Sequence, residues 1–159
     1  MIKNRRRSEK GQSFIELAMT ILFLLTLLSA VVDLGWAFYT MITLRDAVQE
    51  AAAYGAICAL NKANNGPNNT LIEQRLLLSV TEPIDMADVE EVEITFLDQA
   101  GAEVTVPEMG GSVVVRATVL HNIVTPFVGA FIGRQNYPLT VEVADTVMRN
   151  KWLNQCDYD

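Results

Sequence analysis

GQSFIELAMTILFLLTLLSAVVDLGWAFYTMITLRDAVQEAAAYGA, residues 11–56, decides the fold of this 159-residue chain. Its first half is a membrane-length apolar run with one early carboxylate, Glu16, and no charge from Leu17 to Val32. A hydrocarbon core of about 30 Å takes about 20 helical residues. A helix that enters near Phe14 therefore leaves near Asp33, where Trp36, Phe38 and Tyr39 are placed as interfacial aromatics. Residues 14–33 are the expected single span. A charged group at mid-membrane costs roughly 2.5 to 3.5 kcal/mol on insertion scales, so Glu16 calls for a partner or a purpose.

Upstream lies a basic leader, Lys3-Asn4-Arg5-Arg6-Arg7-Ser8-Glu9-Lys10, that ends at Gly11. Five Lys/Arg stand before the apolar run and only Arg45 shortly after it, which predicts the N-terminus inside and the rest of the chain outside. Two other readings share this outline. A removed secretory signal would start the mature chain near Val31, but Leu28-Ser29-Ala30 is a poor small-residue cleavage site. A core helix of a soluble domain is disfavoured by the flanking charges and the uninterrupted leucines.

Beyond the span the helical pattern continues. Leu44, Ala47, Val48, Ala51, Gly55 and Cys58 recur at spacings of three and four, with Arg45, Asp46, Gln49 and Glu50 on the other side. Such small residues let another backbone approach closely, either the chain's own sheet or a neighbouring helix. The first break is Asn64-Asn65-Gly66-Pro67-Asn68-Asn69, so the long helix is assigned to residues 12–63, about 50 residues or some 75 Å.

Residues 64–159 form one small domain's worth of chain. Thr70-Leu71-Ile72-Glu73 has capping-box spacing and predicts a short helix to about Val80. Val92, Ile94 and Phe96 then alternate with polar residues, and a turn at Asp98-Gln99-Ala100-Gly101 precedes a strand over Glu103 to Val106. After Gly110-Gly111 come strands around Val113 to Leu120 and Leu139 to Ala144, joined by a very apolar helical turn that Thr125-Pro126 opens. The fold class is α+β: a long helix packed on a small, mainly antiparallel sheet with one short helix. The sheet is expected to bury Val92, Phe96, Val115 and Val141 against residues 44–58.

Charge narrows the function. The chain has 12 Lys+Arg against 19 Asp+Glu; without the leader's five basic and one acidic residues these become 7 and 18, near −11. Nucleic acid is not an expected partner, because the one basic cluster is the leader. Nothing resembles a nucleophile elbow, a phosphate loop or a paired-cysteine metal site, so no enzyme activity, cofactor or metal is expected. His121 has no companion histidine and reads as structural. Asp85, Asp88, Glu90 and Glu91 match no calcium loop and read as solvated charge. Asn68-Asn69-Thr70 fits an N-glycosylation acceptor, relevant only in a host with that machinery. Cys58 and Cys156 both fall outside the membrane, where a disulfide can persist; a bridge or two free thiols remain open.

The string Gly11-Gln12-Ser13-Phe14-Ile15-Glu16-Leu17-Ala18, with Asp33-Leu34-Gly35, Tyr39, Leu44-Arg45-Asp46-Ala47, Glu50-Ala51 and Tyr54-Gly55, resembles TadE-like pseudopilins of the bacterial tight-adherence (Flp-type) pilus system. The tail from Val113 through Thr125-Pro126 to Leu139 and Met148-Arg149 is similar more loosely. The resemblance implies a minor pilin or accessory subunit at the bacterial inner membrane, with other pilin subunits as partners. It also implies cleavage of leader 1–11 between Gly11 and Gln12 by a prepilin peptidase, an aspartic membrane enzyme. Leu17 stands where such substrates often carry an aromatic ring. The new amine at Gln12 would then pair with the Glu16 carboxylate of a neighbouring subunit in a pilus that serves adhesion. The alternatives are an uncleaved anchor holding an extracytoplasmic binding module, with Glu16 a snorkelling interfacial charge, and, last, a secreted enzyme or small-ligand protein.

Overall fold

The computed structural model describes residues 5–61, 66–148 and 156, with side chains from residue 11 onward except those of Pro126, Phe127 and Phe131. Lys3, Asn4, Asn64, Asn65 and Arg149, which figure in the sequence reading, lie outside the described residues. The chain is α+β. Helix α1 (Arg5–Ile57) is followed by α2 (Asn69–Ser79), a 3-10 turn (Met86–Asp88), β1 (Val89–Leu97), β2 (Glu103–Val104), β3 (Ser112–Asn122), α3 (Pro126–Ile132) and β4 (Asn136–Thr146). The four strands form one antiparallel sheet in the order β2-β1-β3-β4.

Two compact units divide the chain. One comprises the chain up to Ala37 with Asn122–Asn136; the other comprises Phe38–His121 with the chain from Tyr137 onward.

In the second unit, the C-terminal part of α1 supplies one wall of the core. Leu44, Ala47, Val48, Ala51, Ala52, Gly55 and Ala56 are buried, whereas Arg45, Asp46, Gln49 and Glu50 are exposed. This is the one-sided stripe that the three-and-four spacing predicts. The sheet supplies the opposite wall. Along β3, Val113, Val115, Ala117, Val119 and His121 are buried, each alternating with a more accessible neighbour. Phe96 and Val141 complete the buried set, while Val92 is partly buried at its margin. From α2 come Ile72 and Leu76, both fully buried.

Gly55 marks a point of close approach. A β-carbon there would lie 3.0 Å from Ile72 Cδ1 and 3.1 Å from Val113 Cγ2, so α1 meets both α2 and β3 where it has no side chain. The exposed side of the sheet carries Arg116 between Glu93 at 3.5 Å and Glu142 at 3.2 Å. Such exposed pairs contribute little and mainly mark the solvated face.

The ends of the helices differ from the sequence reading in three ways. Helix α1 begins at Arg5 and runs through Gly11, upstream of the expected start at Gln12. One glycine costs only about 1 kcal/mol against alanine, less than an established helix gains by propagating through it. At the other end α1 stops at Ile57, short of residue 63. The backbone there finds other partners: the Met148 N–H donates to Ala56 O at 2.9 Å, the Asn68 side-chain amide to Cys58 O at 3.1 Å, and the Asn68 N–H to Ala59 O at 2.9 Å. These bonds take up carbonyls that a helix end leaves open. They also fix Asn68 as the last residue before α2, so Thr70 lies inside that helix and the Thr70–Glu73 capping box does not form.

The glycine pair at 110 and 111 closes the turn into β3 as the sequence indicates. Gly110 has φ +84°, and a β-carbon on Gly111 would sit 2.3 Å from Leu97 O. Val147 bonds both: its carbonyl accepts from Gly110 N and its N–H donates to Gly111 O, each at 2.8 Å.

Two expectations follow from this packing. Gly55→Val should destabilise the head by about 1 to 3 kcal/mol through overpacking, whereas Ala53→Val on the exposed side should cost under about 0.7 kcal/mol of helix propensity. Urea unfolding of the full-length protein in detergent, followed by circular dichroism, measures both. The sulfur atoms of Cys58 and Cys156 lie at bonding distance with Cα atoms 5.7 Å apart, across a separation of 98 residues. Closing a loop of that length stabilises on the order of 4 to 5 kcal/mol in the chain-entropy model. Replacing both cysteines by serine should therefore lower the unfolding free energy by about 2 to 5 kcal/mol.

Candidate functional site

The candidate residues on α1 lie on a surface unlike the rest of the molecule. From Gly11 to Val32 every residue is exposed except half-buried Ser29, although the segment is almost wholly apolar. Phe14, Ile15, Met19, Phe23 and Val31 are each more than 60% exposed. Water is a poor solvent for such a surface, and contiguous exposed apolar area on this scale marks a lipid or protein contact. Among the described residues, one helix is long and apolar enough to cross a membrane, the segment Gly11–Ile57 of α1.

Polar groups in that segment are satisfied locally. The Thr20 hydroxyl donates to Glu16 O at 2.8 Å and the Thr26 hydroxyl to Leu22 O at 2.9 Å, each one turn back. Backbone carbonyls thus accept hydroxyls that could find no water in a bilayer.

Gln12 and Glu16 sit one turn apart on the same face. The Gln12 amide Nε2 donates to Glu16 Oε1 at 3.2 Å. A neutral amide supplies no opposite charge to the carboxylate. Gly11 lies immediately upstream with open space around it: a β-carbon there would meet nothing within 4 Å.

At the other end of the apolar segment Asp33 is buried. Its Oδ1 accepts the Val124 N–H at 3.0 Å and the Thr125 N–H at 3.1 Å, and Oδ2 accepts the Thr125 hydroxyl. Residues 124 and 125 lead into α3, so Asp33 holds the β3–β4 connection to the helix. Sequence reasoning placed Asp33 only as the end of a span. The available signal was a pair of unmatched features: one carboxylate in an apolar helix, and a Thr-Pro helix start with nothing to take its first N–H groups.

Other residues resolve into structural roles. Asp85 and Asp88 cap the 3-10 turn, with the Ala87 N–H donating to Asp85 Oδ1 at 3.3 Å and the Asp85 N–H to Asp88 Oδ2 at 3.2 Å. Among the described residues, no group of three or more His, Cys, Asp or Glu side chains is placed to hold a metal ion. His121 is buried near the end of β3, its Nδ1 3.3 Å from the Thr40 hydroxyl and its ring edge-on to Tyr137 at 5.4 Å between centroids. Cys156, paired with Cys58, also accepts the Tyr54 hydroxyl at its carbonyl, at 2.8 Å. The tail is thereby joined to the last turns of α1 by a side-chain hydrogen bond as well as by sulfur.

The exposed apolar segment, the Gly11-Gln12-Glu16 group, Asp33 and the buried stripe from Leu44 all fall on one helix. No curated protein and no solved structure matches the chain. A family model does, the one described as TadE-like protein, and it covers residues 11–53. That segment, which holds every candidate processing and assembly residue on α1, is similar to the TadE-like family.

Proposed function

We propose that this chain is a minor pilin or pseudopilin of a tight-adherence pilus, made as a single-pass inner-membrane protein with its α+β head outside the cytoplasm. The observation that carries the reading is that the TadE-like segment is apolar and uncovered in its first half but packed by its own chain in its second. An uncovered apolar helix needs lipid before assembly and neighbouring helices after extraction from the bilayer. The packed second half then keeps the head attached in both states.

Processing would occur between Gly11 and Gln12 by a prepilin peptidase. Removing the leader takes away five basic residues that hold the helix to the cytoplasmic interface, and it frees an amine at Gln12. That amine supplies, from a neighbouring subunit, the cation that Glu16 lacks. A reactive centre plays no part in this reading: the chain acts by insertion, cleavage and packing.

The runner-up is an uncleaved anchor that holds a binding module at the membrane. What favours it is the unbroken course of α1 from Arg5 through Gly11, which leaves no extended segment at the expected scissile bond. A peptidase would have to unwind that turn first.

N-terminal sequencing of protein purified from membranes separates the two. Gln12 as first residue is the expected result, and Met1 as first residue supports the anchor. Gly11→Phe should accumulate the full-length precursor. Glu16→Val should be cleaved and inserted normally but be at least about tenfold depleted from assembled pili, the equivalent of about 1.4 kcal/mol of lost pairing. Recovery at wild-type level in pili would eliminate the pairing role.

A further inference from the structure

Asp33 is the lone charged residue between Leu17 and Leu44, and it is only 7% exposed. What it binds is itself unusual. The β3–β4 connection, Ile123 to Gln135, has one charged residue, Arg134, and exposes Val124 at 60% and Ile132 at 57%. Ordinary surface loops are polar because their backbone must be solvated. Here the backbone is largely relieved of that need.

The Ile123 N–H donates to Gln135 O at 2.8 Å and closes the base of the connection. Asp33 accepts the next two N–H groups, those of Val124 and Thr125. Position 126 is proline and has no N–H to satisfy. The Gly129 N–H then donates to Thr125 O at 3.3 Å, and the Gly133 N–H closes α3 onto Gly129 O at 2.9 Å. Internal satisfaction of this kind is the requirement for backbone that leaves water.

Position along the helix completes the argument. From Phe14 to Asp33, α1 rises about 28 Å at about 1.5 Å per residue, close to the thickness of a hydrocarbon core of about 30 Å. A span that starts at Phe14 therefore puts Asp33 at the outer boundary, and its hydrogen bonds put the β3–β4 connection there too. Arg134 follows α3 and is exposed, as suits a cation at the level of anionic headgroups.

We propose that the β3–β4 connection is a second membrane-contacting element, seated in the outer interface of the bilayer with Val124 and Ile132 against the acyl chains and clamped to the span by Asp33. The inference rests on the single-span reading given above. It is continuous with that reading's lipid surface, since the uncovered apolar side chains of α1 reach Val31 and Val32, directly before Asp33. The clamp then fixes how deep the helix sits, and extraction of the subunit must free two elements from lipid.

The test uses full-length protein in two kinds of phosphatidylcholine vesicle, one with acyl chains brominated close to the headgroup and one with chains brominated near their ends. In a Trp36→Phe, Trp152→Phe background, one tryptophan is introduced by Leu24→Trp, Ile132→Trp or, as a solvent-side control, Met109→Trp. Deep bromine should quench the Leu24→Trp protein, which lies about 15 Å along the span, and shallow bromine the Ile132→Trp protein, each relative to unbrominated vesicles, and neither should change the Met109→Trp protein. Quenching in Leu24→Trp but not in Ile132→Trp overturns the inference and leaves the span intact; cross-linking of Ile132 to a second copy in that case assigns the surface to assembly instead. Absence of quenching in Leu24→Trp removes the span and the inference together. Adding Asp33→Ala should reduce quenching in Ile132→Trp while that in Leu24→Trp persists, and should speed amide exchange at Val124 and Thr125. Unchanged quenching and exchange would contradict the clamp.

Discussion

Helix α1 can lie on the sheet only because its buried side is made of small residues. At Gly55 the neighbouring Ile72 and Val113 side chains already stand 3.0 and 3.1 Å from where a β-carbon would be, and Ala47, Ala51, Ala52 and Ala56 extend that close contact along the helix. The rest of the second unit follows from it. Strand β3 faces α1 with valine and alanine of matching volume, α2 fills the remaining side with Ile72 and Leu76, and Asn68 and Met148 complete the helix end. Burial of this kind, at about 25 cal/mol per Å² of apolar surface, is what holds a small head together.

The same helix has no such cover from Gly11 to Val32. Its threonines bond back to their own turn, and Glu16 and Asp33 are handled differently: Asp33 takes three donors from the β3–β4 connection, whereas among the described residues Glu16 accepts one side-chain amide. A charge with three donors is settled inside its own chain. The proposed assembly role therefore falls to Glu16 rather than Asp33.

Much of this was legible in the sequence because periodicity is a direct image of burial. The stripe from Leu44 to Gly55, the alternation along β3 and the turn at Gly110-Gly111 are each local patterns with one reading. What escaped depended on contacts between distant segments. Where α1 ends, Met148 bonds Ala56 in its last turn and Asn68 bonds Cys58 and Ala59 just beyond it, and neither partner is visible from residues 50–60 alone. The Thr70–Glu73 spacing was a true local signal that lost to Asn68, whose two bonds to residues 58 and 59 set the start of α2. Asp33 and Thr125 stand 92 residues apart, so the clamp could not be read from either neighbourhood. At Gly11 the opposite holds: local helix propensity carries α1 back past Gln12, the residue expected from the sequence to start the helix.

The central claim is that one helix serves lipid on one part of its length and the head on another, with the head outside the cytoplasm. A pair of topology reporters fused after Asp159 tests it most directly, one that works only in the cytoplasm and one that works only beyond the membrane. The account predicts activity from the external reporter alone. Activity from the cytoplasmic reporter alone would contradict it.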